Sequence, residues 1–178
     1  MQNYPLTAHP AHPPLSVRAI EARVIGFDAS LLRLRWRIEG AAKLVVPVFA
    51  GKGRADGLWE TTCFEAFLKP EGGAAYVELN LSPSERWAAY DFATYRDGMA
   101  QRPFPHEPHC AIRVGTDLTI FDAAVPSAGL PALPAAMGLS AVIEEKGGVK
   151  SYWAMTHASE KPDFHDAACF AAVLEPPA

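Results

Sequence analysis

Within "GLWETTCFEAFLKP" (57–70) a carboxylate, Glu65, stands between Phe64 and Phe67 in a run that otherwise reads as a buried strand. Burying such a group costs several kcal/mol unless it is paired, or unless its face opens onto water or a polar ligand. Two kinds of chemistry answer that cost. One is a salt bridge within the sheet, to which Arg33, Arg35, Arg37 or Arg86 could contribute. The other is recognition of a sugar, which needs a flat aromatic ring to stack on a pyranose and carboxylate, amide or guanidinium groups to take its hydroxyls. Trp59, Trp87 and Trp153, with Glu65, Glu78, Asn80 and Arg86, supply that set of groups. Glu65 and Glu78 also form a carboxylate pair of the kind glycosidases use, although nothing in the sequence separates an acid from a nucleophile.

These residues need strands to position them. Alternation puts Cys63, Glu65 and Phe67 on one face of 61–70, and Tyr76, Glu78 and Asn80 on one face of 74–84. The glycine-containing "EGG" between them marks a hairpin. "LLRLRWRIEG" (31–40) alternates Leu32, Leu34, Trp36 and Ile38 against Arg33, Arg35, Arg37 and Glu39, the pattern of a half-buried strand. Further strands are expected in 16–27, 43–50, 117–125, 139–157 (two, about "KGG") and 169–176. Short strands with glycine turns predict an all-β, single-domain antiparallel β-sandwich. Segment 82–99 is open between helix and strand on its residues alone, because Ser82 and Glu85 have capping-box spacing and Trp87, Tyr90 and Tyr95 suit either.

With 178 residues, the chain is long enough for one domain with its own core. Its 16 prolines gather in residues 1–14, 103–108 and 126–134, so 1–15 reads as an N-terminal arm on a domain spanning 16–178, with two long proline-rich connections. A net charge of −4 gives no reason to expect nucleic acid as a partner. No basic and apolar leader pattern and no long apolar run stands in the sequence, so the expectation is a cytoplasmic protein that does not engage membranes. Cys63, Cys110 and Cys169 are odd in number and far apart, which fits reduced thiols. His106, Glu107 and His109 lie in a proline-bracketed loop that reads as surface, and no metal centre is expected. Phosphate-loop, nucleophile-elbow and zinc-helix motifs are absent from the sequence.

The blocks "LWETTCFEAFLKP", "YVELNLSPSERWAAYDFATYRDGM" and "KGGVKSYWAMTHASEKPDFHDAACF" together resemble the DOMON-like domains, a superfamily related to the family 9 carbohydrate-binding modules. The likeness spans about residues 16–174. It implies a β-sandwich that binds sugar or haem without catalysis of its own, and it turns 82–99 toward strand around Trp87–Tyr95. In the carbohydrate-binding members a tryptophan precedes a strand glutamate by six residues, which Trp59 and Glu65 match; a late tryptophan, here Trp153, closes a clamp, and Arg86 is a looser counterpart of an arginine used there. The expected partner is therefore a small molecule, a saccharide or similar hydroxyl-rich compound, with no cofactor. The haem-binding members imply one alternative, a methionine and a histidine as axial ligands drawn from Met99, Met155, His157 and His165; on the residues alone, a protein-interaction domain whose exposed tryptophans meet another protein is a further one.

Overall fold

Thirteen strands and four single 3-10 turns make up the regular structure of residues 2–177, which the computed structural model describes. The strands are β1 (Asn3–Ala8), β2 (Ala19–Phe27), β3 (Leu31–Glu39), β4 (Gly53–Arg54), β5 (Cys63–Pro70), β6 (Tyr76–Leu81), β7 (Arg86–Phe92), β8 (Ala100–Gln101), β9 (His109–Val114), β10 (Leu118–Pro126), β11 (Ala135–Glu145), β12 (Val149–Ala154) and β13 (Ala172–Leu174). Among the described residues no helix is long and apolar enough to cross a membrane.

β3 explains why its half of the sheet forms. Leu32, Leu34, Trp36 and Ile38 are buried while its arginines alternate outward, where Arg35 pairs with Asp122 at 2.6 Å and Arg33 with Asp28 at 2.7 Å. Each such buried Leu or Ile contributes about 1.5–3 kcal/mol. Trp36 sits opposite Phe121 of β10 and also meets Phe64 of β5, with ring centroids 5.9 and 5.4 Å apart; Phe64 and Phe121 stack at 4.2 Å. The aromatic trio joins the two limbs of the fold through one core.

Those limbs belong to one sheet. The strand order is β4-β7-β6-β5-β11-β12-β1-β2-β3-β10-β9, with β13 added to β11 and β8 to β7. β1 is the corner: Asn3 to Leu6 pair with β2, and Thr7 and Ala8 pair with β12. A strand that changes partner midway bends the sheet. The fold is thus all-β as expected, but the two separate sheets of a sandwich give way to a continuous sheet curled into a half-barrel.

Two local expectations change with it. The segment expected as an arm, 1–15, carries β1, and its far end is held by the buried Glu145, which accepts hydrogen bonds from the backbone N–H groups of Leu15 (2.6 Å), Ser16 (2.7 Å) and Val17 (3.2 Å). The segment 43–50, expected as a strand, is irregular after the 3-10 turn Ala41–Lys43: Leu44 makes one bridge to Glu145, Pro47 lacks a ladder N–H, and Val48 and Phe49 are exposed. Within 82–99, Arg86–Phe92 is strand, and the Ser82 hydroxyl accepts from Ser84 N in a local turn instead of capping a helix.

Candidate functional site

On the side of β5, β6, β7, β11 and β12 that faces away from the main core lies a cavity of about 370 Å³. Register puts its residues together. Glu65 stands between Ser140 of β11 and Asn80 of β6; one row along, Glu78 stands between Phe67 of β5 and Tyr90 of β7; Tyr76 faces Phe92, and Val142 faces Tyr152. Side chains at alternate positions of the same strands, among them Phe64, Ala66, Leu79 and Leu81, enter the main core.

The cavity has three boundaries. Its floor carries Glu65 and Glu78, with Val142, Tyr152 and Phe92 beside them. Its roof is the irregular segment after β12, which brings Pro162, Phe164 and His165 over the sheet. That segment can approach because Gly138 has no side chain: a Cβ there would stand 2.8 Å from the Phe170 ring, which stacks on Phe67 at 5.6 Å. The mouth carries Arg96, Met99 and Trp59. Trp59 lies in the 3-10 turn Leu58–Glu60, entered through Gly57 at φ +71°, and is 41% exposed.

The electrostatics of the floor are unusual. Glu65 and Glu78 are 3% and 6% exposed. Burial raises both carboxyls above the usual range; Glu65 is raised further by the Glu78 charge, while Arg96 draws both part of the way back. Protein partners are few. Glu65 Oε2 meets the Ser140 hydroxyl at 3.4 Å, and Glu78 Oε1 accepts from Asn80 Nδ2 at 3.0 Å. The arginines that could have bridged Glu65 are engaged with Asp28, Asp122 and Glu39 on β3's outer side, or with the Ala50 carbonyl.

His165 completes the wall. Its Nδ1 lies 2.7 Å from the Tyr76 hydroxyl, which itself accepts from Arg96 N at 3.1 Å. The tyrosine proton is therefore placed to go to Nδ1, leaving the ring N–H on Nε2, which faces Glu78 Oε2 at 3.7 Å. That spacing is within ion-pair range, yet burial and then Arg96 lower His165 to about 4, so the ring is neutral near pH 7 and the contact is not a charged pair. Arg96 points its guanidinium to Asp163 at 2.7 Å.

Of the residues expected at a site, Trp59, Glu65 and Glu78 meet at this cavity. Asn80 lies fully buried beside it, holding Glu78 through its amide, with its Oδ1 unpartnered among the described residues. Two expected residues lie elsewhere. Trp153 is 4% exposed in the main core, its indole N–H donating to Ser151 Oγ at 2.9 Å, because pairing of Val142 with Tyr152 gives the cavity face to Tyr152. The pairing of Trp59 with Trp153 across one site is therefore corrected: Trp59 and Tyr152 line the cavity, and Trp153 does not. Arg86 starts β7 next to β4, and its Nε donates to the Ala50 carbonyl at 3.2 Å, so it does not reach the cavity. Trp87 is buried under Arg54, whose guanidinium lies 4.3 Å from its ring.

Tyr152, Phe92, Phe164 and Arg96 are the residues that sequence reasoning missed, and His165 was reached only as a haem-ligand candidate. Period-two counting along "KSYWA" separates Tyr152 from Trp153 but does not say which face is which; Phe164 and His165 sit in a segment without any period. Of the four residues offered as haem ligands, Met99 and His165 line the cavity. Among the described residues no group of three or more His, Cys, Asp or Glu side chains gathers as a metal centre, and Cys63, Cys110 and Cys169 are all free and buried.

No protein-family profile matches the chain, and no curated protein matches it. Among solved structures, a candidate carbohydrate-binding protein from Bacteroides uniformis superposes with a TM-score of 0.66 at 15% identity, covering 95% of this chain and 84% of that one. A family 9 carbohydrate-binding module from Caldicellulosiruptor kristjanssonii, solved in complex with glucose, gives a TM-score of 0.44 at 10% identity, covering 85% of this chain and 74% of that one. The chain thus shares its fold with the Bacteroides uniformis protein across nearly its whole length.

Proposed function

We propose that the chain is a non-catalytic binding module for a saccharide or similar hydroxyl-rich small molecule, held in the cavity above Glu65 and Glu78. The observation that carries this reading is the convergence of two buried carboxylates with the aromatic side chains of Trp59 and Tyr152 on one cavity. Aromatic faces suit the apolar side of a pyranose, and carboxylates take its hydroxyl protons. The volume of about 370 Å³ falls within the ~300–1,000 Å³ of small-ligand sites. The carbohydrate-binding description of the Bacteroides uniformis protein agrees with this reading.

The arrangement of the two glutamates supports a non-catalytic role. A glycosidase sets its carboxyls on either side of the scissile bond and keeps one ionised. Here both project from neighbouring strands of one floor, and burial pushes both toward the neutral form.

Tryptophan fluorescence over a glycan panel tests the proposal. Saturable change with at least one sugar, lost in Trp59→Ala, is expected; no saturable change with any sugar would remove the reading. Haem is the second reading, favoured by Met99 and His165 sharing the cavity. The histidine fits poorly as an axial ligand, since Nδ1 is held by Tyr76 and Nε2 faces Glu78. A Soret band after expression with added haem would favour it, and its absence would dismiss it.

A further inference from the structure

We infer, resting on the saccharide reading above, that the cavity selects an amino sugar in its protonated form, with the ammonium taken by Glu65 and Glu78 and the ring carried by Trp59 and Tyr152. The cavity floor holds unmatched acceptors. Glu65 is 3% exposed and lines the cavity, its only side-chain hydrogen bond among the described residues is the long 3.4 Å contact from Ser140, and its Oε1 accepts none. Glu78 has Oε1 satisfied by Asn80, while Oε2 has only the His165 ring, at 3.7 Å. Arg96, the cation of the lining, gives its hydrogen bond to Asp163 and makes none to either glutamate.

The floor is therefore rich in acceptors and short of donors and positive charge. A neutral sugar hydroxyl brings a proton but no charge, so it does nothing to draw the two carboxyls out of the neutral form that burial favours. An ammonium offers three donors and a positive charge together, and that charge draws both carboxyls toward the ionised form that accepts them. Aromatic walls favour the same ligand, because the face of Trp or Tyr attracts a cation. An acidic sugar would bring a negative charge against two buried carboxyls, and acetylating the amine would remove the cation that their unmatched oxygens can accept.

Calorimetry on the whole chain at about pH 6.5, below the ~7.7–8.0 range of an α-amino group, compares glucosamine, glucose and N-acetylglucosamine. Glucosamine is expected to bind at least about tenfold more tightly than either neutral sugar. Glu65→Gln and Glu78→Gln are expected to narrow that ratio. Glucose or N-acetylglucosamine binding as tightly as glucosamine would overturn the inference while leaving a saccharide site in place. No heat with any of the three would overturn the inference and the reading beneath it together. A ratio unchanged in folded Glu65→Gln and Glu78→Gln proteins would overturn the assignment to these carboxylates; the wild-type comparison decides the matter should either variant fail to fold.

Discussion

Tyr152 and Trp153 are neighbours in β12 that stand on opposite faces of the sheet, Tyr152 against the cavity and Trp153 in the main core with its indole N–H on Ser151. One strand thus packs the main core and lines the cavity with consecutive side chains. The face each residue takes is fixed by pairing with β11, where Val142 faces Tyr152 and Ala141 faces Trp153.

The two residues should respond differently to truncation. Trp153→Ala is expected to destabilise the protein by about 3–5 kcal/mol, the range for emptying a core aromatic position, read as a lower denaturant midpoint. Tyr152→Ala is expected to cost less stability and to weaken ligand binding by about threefold or more. Equal loss of stability in both would contradict the division of faces.

Stability should fall with rising pH because of the buried pair. Glu65 and Glu78 have carboxyls raised in the fold above their unfolded value of ~4.3, so their contribution is fully present below that value and is lost as pH rises through the raised folded values. Denaturant midpoints measured upward from about pH 5 are expected to decline in the wild type, and less steeply in Glu65→Gln and Glu78→Gln. A wild-type slope that the glutamine variants leave unchanged would place the dependence elsewhere.

His165 behaves in the opposite sense. Its folded value is lowered to about 4, so the stability it contributes is present above the ordinary ~6.5 and is lost as pH falls through about 4. Nuclear magnetic resonance of the ring protons should show one neutral imidazole that does not titrate between about pH 7 and 5. Titration of His165 near 6.5 would mean that the roof is open to water.

Much of this arrangement was readable from local pattern and some of it was not, for a physical reason. The alternation of β3 and the shared face of Tyr76, Glu78 and Asn80 depend on neighbours in one strand, and the Trp59 to Glu65 spacing stays within one turn and strand. Three features depend on distant pairing. β1 joins β12 to β2, which no local signal in its proline-bearing segment announces. Tyr152 gains the cavity through the β11 register, and Phe164 and His165 gain it because Gly138 lets their segment lie close. Arg86 had the right residue type, but the loop ending at Ala50 takes its guanidinium.

Glu145 gives a test of the N-terminal segment that is independent of the site. Its carboxylate accepts from Leu15, Ser16 and Val17 N–H groups and from the Ser16 hydroxyl at 2.6 Å. Glu145→Ala is expected to cost roughly 3 kcal/mol, because three backbone N–H groups and one hydroxyl lose a shared, buried acceptor at once. Amide exchange at residues 15–17 should speed up with it; unchanged exchange there would contradict the anchoring role.

The central claim is that a saccharide occupies the cavity above Glu65 and Glu78, and the four tryptophan indole N–H signals report on it most directly. Trp59 stands at the mouth, Trp36 and Trp153 lie in the main core, and Trp87 lies beneath Arg54. In a titration with glucosamine or glucose followed by proton–nitrogen correlation spectra, the Trp59 indole should shift saturably while the other three stay in place. Saturable binding that leaves Trp59 unmoved, or no shift with either sugar, would contradict the account.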